Sequence, residues 1–156
     1  MRMSQREVKD LDRIADIVAR CDTVRVAFFG EEYPYIVPLT FGYETVGGKL
    51  ALYVHGAKEG LRHELAARNP NVCVEADIFN GYVKTRQGVT TAYESVIGFG
   101  TIELAGHADS VKGLDLMMAH CGQSGHSAER CVALGITSVY KITVERITGK
   151  IRTADN

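Results

Sequence analysis

Three basic side chains gather around one turn of this sequence. Tyr53-Val54-His55 ends an apolar run, Gly56 breaks it, and Lys58 and Arg62 follow in a stretch of helical composition, KEGLRHELAAR. A strand that ends in a glycine turn and enters a helix leaves its first N–H groups without intrahelical partners, and such groups attract an anion. Lys58 and Arg62 are four apart, so a helix beginning at Lys58 puts both on one face, flanking those amides. The expectation is an anion site for a phosphate, with His55 beside it as the histidine best placed for acid–base work. An ordinary strand-to-helix turn with solvated charges has the same local pattern. His63 and His107 are lone histidines, more often structural than catalytic.

Other chemistry finds less support. His120, Cys121, His126 and Cys131 are all zinc-ligand types, but their spacing matches no usual zinc framework, and no metal is expected. No nucleophile elbow, Walker loop or dinucleotide fingerprint is present. Ser95, in Tyr93-Glu94-Ser95-Val96, reads either as a strand serine aimed at a ligand or as one facing solvent.

The elements that must position these groups follow from periodicity. Ser4 and Glu7 have the form of a capping box, and Val8, Leu11, Ile14, Ala15, Val18 and Cys21 recur at helical spacing, predicting a helix over Gln5–Arg20. Strands are predicted over Thr23–Phe29, Tyr35–Tyr43, Leu50–His55, Asn71–Asp77, Ala92–His107 and Ser138–Ile151. Pro38 cannot donate to a ladder, so it marks an edge or a bulge. Val46-Gly47-Gly48-Lys49 is a hairpin turn. Gly98 and Gly100 allow the long fifth strand to bend, and an irregularity is expected near Arg146 in the sixth. Helices are predicted over Lys58–Arg68 and Val111–Cys121. Gly81–Thr91 has no period and reads as a loop. Six strands joined mainly by short turns imply an antiparallel sheet, which closes most economically as a small barrel.

The 156 residues suit one domain, 1–156, with one core. A net charge of −1 gives no electrostatic footprint for nucleic acid. No apolar run reaches the ~20 residues that span a bilayer, and the N-terminus has no signal-peptide core, so the expected location is cytoplasmic. The four cysteines form no CxxC pair, and Cys73, in the apolar run VCVEA, is expected to pack as a buried thiol.

The segments YPYIVPLTFGY, LYVHGAKEGLRHELAARNPNVCVEAD, YESVIGFGTIEL, KGLDLMMAHC and ITVERITGK together resemble the FMN-binding split-barrel proteins related to pyridoxamine 5′-phosphate oxidase, and within them the nitroimidazole-resistance (Nim) branch. The resemblance covers most of Val24–Lys150. It implies a mainly β fold with helices, a six-stranded antiparallel split β-barrel, and a homodimer with FMN in a groove between subunits. It also implies that Gly56, Ala57, Lys58, Gly60, Leu61 and Arg62 hold the FMN phosphate. Val37, Pro38, Leu39 and Thr40 would lie along the isoalloxazine ring, Ser95 and Val96 would add contacts from the long strand, and His55 would sit close to the flavin as the candidate catalytic residue. The implied activity is reduction of small planar compounds such as nitro-aromatics. The oxidase proper has an Arg-Lys pair where this chain has Gly60-Leu61, and nothing here matches its C-terminal substrate-binding stretch, so oxidation of pyridoxine phosphate is not implied. Relatives of the fold also bind deazaflavin or haem, so a non-catalytic flavin- or haem-binding protein for storage or sensing is the alternative.

Overall fold

Alternating apolar residues make strands that each bury one face, and the strands that cross the middle of the sheet are long. The computed structural model describes residues 4–86, 88–123, 125, 127–130 and 132–153. In chain order these form a 3-10 turn at Ser4–Arg6, β1 (Glu7–Val8), α1 (Leu11–Ala19), β2 (Val24–Phe28), β3 (Tyr35–Leu39), β4 (Gly42–Val46) and β5 (Lys49–Ala57). Next come α2 (Leu61–Arg68), β6 (Asn71–Thr85), β7 (Gly88–Leu104), α3 (His107–His120), a 3-10 turn at Ala128–Arg130, α4 (Ala133–Ile136) and β8 (Thr137–Arg152). One sheet runs β3-β2-β6-β7-β8-β5-β4, every pairing is antiparallel, and β1 attaches to β8.

The strands at the two ends of that order, β3 and β4, are consecutive in the chain, joined through Thr40 and Phe41. No pairing closes them among the described residues. The sheet is therefore an antiparallel split barrel, open along this seam. Phe41 is fully buried, with its ring 4.5 Å from that of His120, and this anchor divides the single strand expected over Tyr35–Tyr43 into β3 and β4. With β1 added, eight strands replace the six expected among the described residues. Pro38 lies on β3, which is a sheet edge, as its missing N–H requires.

Among the described residues two bulges shape the sheet. Phe99 faces Arg146 while Gly100 faces Val144, so Glu145 is the extra residue, beside the irregularity expected near Arg146. A Cβ on Gly100 would stand 2.0 Å from the Thr143 carbonyl oxygen, so only glycine permits this approach. The second bulge separates Phe79 from Tyr82. Beyond it the polar stretch expected to be a loop is instead a hairpin, pairing Tyr82 with Thr91 and Thr85 with Gly88. Its β-branched Val83, Thr85, Val89 and Thr90 suit a strand, and cross-strand pairing supplied what local periodicity did not show.

The first helix starts later than the capping box suggests. Glu7 and Val8 pair with Lys150 and Gly149, and Asp10 becomes the N-cap, accepting from the Arg13 N–H at 2.9 Å. Ile14, Ile17 and Val18 of α1 then plug the barrel, against a core that includes Val26, Leu52, Val74, Ile102 and Ile142. Full burial of such side chains stabilises the fold by about 1.5–3 kcal/mol each. Cys73 is half-buried rather than fully buried, and burial raises its thiol pKa.

Helix α3 packs on β4 and β5 through Tyr53. The Tyr53 ring is fully buried, and a Cβ on Gly113 would stand 2.6 Å from it. The Tyr53 hydroxyl donates to Glu44 at 2.8 Å, and Lys112 of α3 reaches the same carboxylate at 2.6 Å. Burial first, then the bond to Glu44, holds the phenol far above its ordinary pKa. No helix among the described residues is long and apolar enough to cross a membrane.

Candidate functional site

The chain runs straight through His55 before it turns. His55, Gly56 and Ala57 pair with Val139, Ser138 and Thr137, so β5 extends two residues past His55. The bend is Lys58-Glu59-Gly60, and α2 begins at Leu61 with Gly60 as its N-cap. Gly60 has φ 108°, a conformation that favours glycine, and it leaves the helix start without a side-chain cap. The first amides of α2 thus lack intrahelical partners and, among the described residues, a side-chain cap from Gly60, a condition that an anion can satisfy.

The two cations do not share a helix face, because Lys58 precedes the helix. They bracket the bend instead. Lys58 Nζ donates to the Gly135 carbonyl at 2.6 Å, tying the bend to α4. Arg62, in the first turn of α2, folds back, donates to the His55 carbonyl at 3.2 Å and lies 5.6 Å from the centroid of the Tyr140 ring. Both bonds go to backbone carbonyls, and among the described residues neither cation meets a carboxylate. Their charge is therefore available to a further anion.

His55 is half-buried, and its Nδ1 is buried without a hydrogen-bond partner. Burial first, and then the Arg62 charge, lowers its pKa, so the imidazole is neutral near pH 7. His63 Nδ1 and the Tyr140 hydroxyl share a hydrogen bond. Tyr140 is buried, and desolvation raises its pKa against opposing effects from Arg62 and Ser138. Periodicity did not single out Tyr140: its position beside α2 depends on the β5–β8 register, which pairs it with Val54.

The remaining expected residues lie elsewhere. On β3, Val37 and Leu39 pack against the core while Pro38 is exposed, as is Thr40 just after the strand. Val96 is buried in the core, so its side chain faces inward, and half-exposed Ser95 is that pair's outward group. Ser95 pairs with Lys150, eleven residues along β8 from Val139, the partner of His55. That is roughly 35 Å of strand. A single chain therefore keeps Ser95 far along the strand from the bend. His126 and Cys131 lie outside the described residues. His120 Nε2 is 2.8 Å from the Cys21 carbonyl oxygen, and no cluster of three potential metal ligands occurs among the described residues.

Concavities among the described residues include the following pair. The larger, about 700 Å³, lies between the β2–β3 turn and the outward face of the sheet, walled by Phe29, Tyr33, Cys73, Phe99 and Arg146. The smaller, about 480 Å³, lies beside the bend, and Lys58 and His63 form part of its wall.

Known proteins share this fold. The sequence profile of the pyridoxamine 5′-phosphate oxidase family matches residues 10–151. The chain belongs to this family. Among solved structures, a candidate 5-nitroimidazole antibiotic resistance protein from Bacteroides thetaiotaomicron is 29% identical, with a TM-score of 0.80, covering 93% of this chain and 86% of that one. An FAD-binding protein from Mesorhizobium loti is 18% identical, with a TM-score of 0.69 and coverage of 95% and 98%. An FAD and heme binding protein from Mycobacterium smegmatis is 18% identical, with a TM-score of 0.75 and coverage of 94% and 73%. At 18% identity the likeness shows the fold alone. None of the curated proteins compared with the chain matches it.

Proposed function

We propose that this member of the pyridoxamine 5′-phosphate oxidase family is a flavoprotein that holds the FMN unit at the Gly56–Leu61 bend and reduces small planar compounds such as nitro-aromatics. The observation that carries this reading is the pair Lys58 and Arg62: two cations beside uncapped helix amides, each bonded only to a backbone carbonyl among the described residues. A phosphate fits that donor set. The buried, unpartnered Nδ1 of His55 adds a polar atom that a bound group can satisfy.

In this reading Lys58, Arg62 and the amides of Gly56–Leu61 hold the phosphate, and Val37, Pro38, Leu39 and Thr40 flank the ring along the open seam. His55, neutral and desolvated, is placed to hold a hydrogen bond near the reacting end. The flavin, when bound, supplies the electrons that a planar substrate accepts. The distance between Ser95 and the bend favours a homodimer: Ser95 contributes to the site only as a residue of a second copy. The exposed Phe29, Tyr33, Ile97 and Phe99 on the outward face supply apolar surface for that contact. The relative assigned to 5-nitroimidazole resistance, 29% identical, supports the substrate class.

The test is an absorption spectrum of the purified protein, before and after incubation with flavin, followed by turnover of a nitro-aromatic with a chemical reductant. Flavin bands and turnover are expected. A colourless protein that takes up no flavin contradicts the proposal, and bound flavin without turnover contradicts the reductase part of it.

A further inference from the structure

Arg62 is held at the bend by something other than an acid. Its guanidinium carbon lies over the Tyr140 ring, 5.6 Å from the centroid, while the side chain donates to the His55 carbonyl at 3.2 Å. Tyr140 is only 3% exposed, and β8 fixes it between Val54 of β5 and Leu104 of β7. Its hydroxyl shares a hydrogen bond with Nδ1 of His63, the residue after Arg62 on α2. The ring is therefore pinned at both ends, by the sheet through its backbone and by α2 through its hydroxyl. An aromatic face attracts a guanidinium through its quadrupole and carries no net charge. A carboxylate in the same place would hold Arg62 more firmly, but it would compete with a phosphate for the guanidinium. Without a platform, a long side chain samples many rotamers, and ordering it on binding costs affinity.

We propose that Tyr140 is a positioning residue: its ring holds the Arg62 guanidinium, still charged, beside the bend, and His63 locks that ring by its hydroxyl. The inference rests on the flavin reading above and adds to it how one of the two cations is kept in place. Tyr140 and His63 both act through Arg62 rather than on the phosphate.

The experiment is a fluorescence titration of the full chain with FMN and with riboflavin, which has the same ring system and no phosphate. Wild type, Tyr140→Leu, Tyr140→Phe and His63→Ala are compared, each also in an Arg62→Ala background. Tyr140→Leu removes the aromatic face and is expected to weaken FMN about tenfold, while riboflavin stays within about twofold of wild type. Tyr140→Phe keeps the face and frees the hydroxyl partner, so it and His63→Ala should each weaken FMN only about threefold. With Arg62 already replaced, none of the three should weaken FMN by more than about twofold further. If Tyr140→Leu fails to fold, His63→Ala decides by the same criteria. Unchanged FMN affinity overturns the platform and leaves the flavin reading standing. Equal weakening of both flavins, or a loss that persists without Arg62, does the same, because either marks a purely structural role. A wild type that binds neither flavin overturns both readings.

Discussion

The guanidinium of Arg62 occupies the space over Gly56: a Cβ on that glycine would stand 1.8 Å from Nη2 of Arg62. The glycine is therefore what lets Arg62 fold back to the His55 carbonyl and remain beside the bend. Gly56→Ala should displace the end of a flexible side chain and leave the backbone intact, so its stability cost should stay within about 1 kcal/mol. Flavin affinity should fall about tenfold, because the cation moves. Thermal melts and a fluorescence titration on the same preparation check both parts, and unchanged affinity would show that Arg62 is placed for something else.

The buried imidazole of His55 makes stability depend on pH. Its pKa is lowered on folding, so below the ordinary value of 6.5 the unfolded chain binds a proton that the folded chain resists. Stability from this group is complete above 6.5 and is lost as pH falls toward the lowered folded value. The melting temperature should drop on acidification through this window, and His55→Gln should remove part of that drop. A variant whose melting curve tracks the wild type at every pH would refute the assignment.

Ser95 offers a test of the second copy. Ser95→Glu places a negative charge where a partner's phosphate would lie, so it should weaken flavin binding as Lys58→Ala with Arg62→Ala does. If each site draws Ser95 from one subunit and the cations from the other, mixing and re-equilibrating the two variants should restore about a quarter of the sites. A flavin stoichiometry that stays near zero after mixing would mean that both changes damage the site of their own subunit, and unimpaired binding by Ser95→Glu alone would place Ser95 outside the site.

The glycines divide into two mechanical classes. Gly100→Ala would drive a Cβ to 2.0 Å from a backbone oxygen, whereas Gly47, at φ 60°, has nothing within 4 Å of its added Cβ. Gly100→Ala should destabilise by about 3 kcal/mol or more. Gly47→Ala should cost about 1–2 kcal/mol, from left-handed backbone strain alone. Urea melts rank the two, and equal losses would contradict the bulge geometry.

Local chemistry was the readable part of this sequence. Pro38 placed an edge, Gly47-Gly48 a hairpin, and Gly98 and Gly100 a bend, because each acts within a few residues of itself. What stayed hidden depends on distant partners. Ser4 lost its cap role because Glu7 and Val8 pair with a strand that ends the chain. The stretch over 81–91 became a hairpin because two strands lengthen each other without an apolar period. The helix began at Leu61 rather than Lys58 because Gly60 turns the backbone, and that moved Lys58 off the helix and toward α4. The separation of Ser95 from His55 lies wholly in the β7–β8 register, which no local pattern encodes.

The central claim is that the bend grips a flavin phosphate through two cations and free amides. Its most direct test is the flavin dissociation constant of Lys58→Ala with Arg62→Ala against wild type, with circular dichroism to confirm the fold. Two charge-assisted contacts of about 1.5–3 kcal/mol each predict a rise of roughly 100-fold or more. A folded double variant whose affinity stays within a few-fold of wild type would put the phosphate elsewhere.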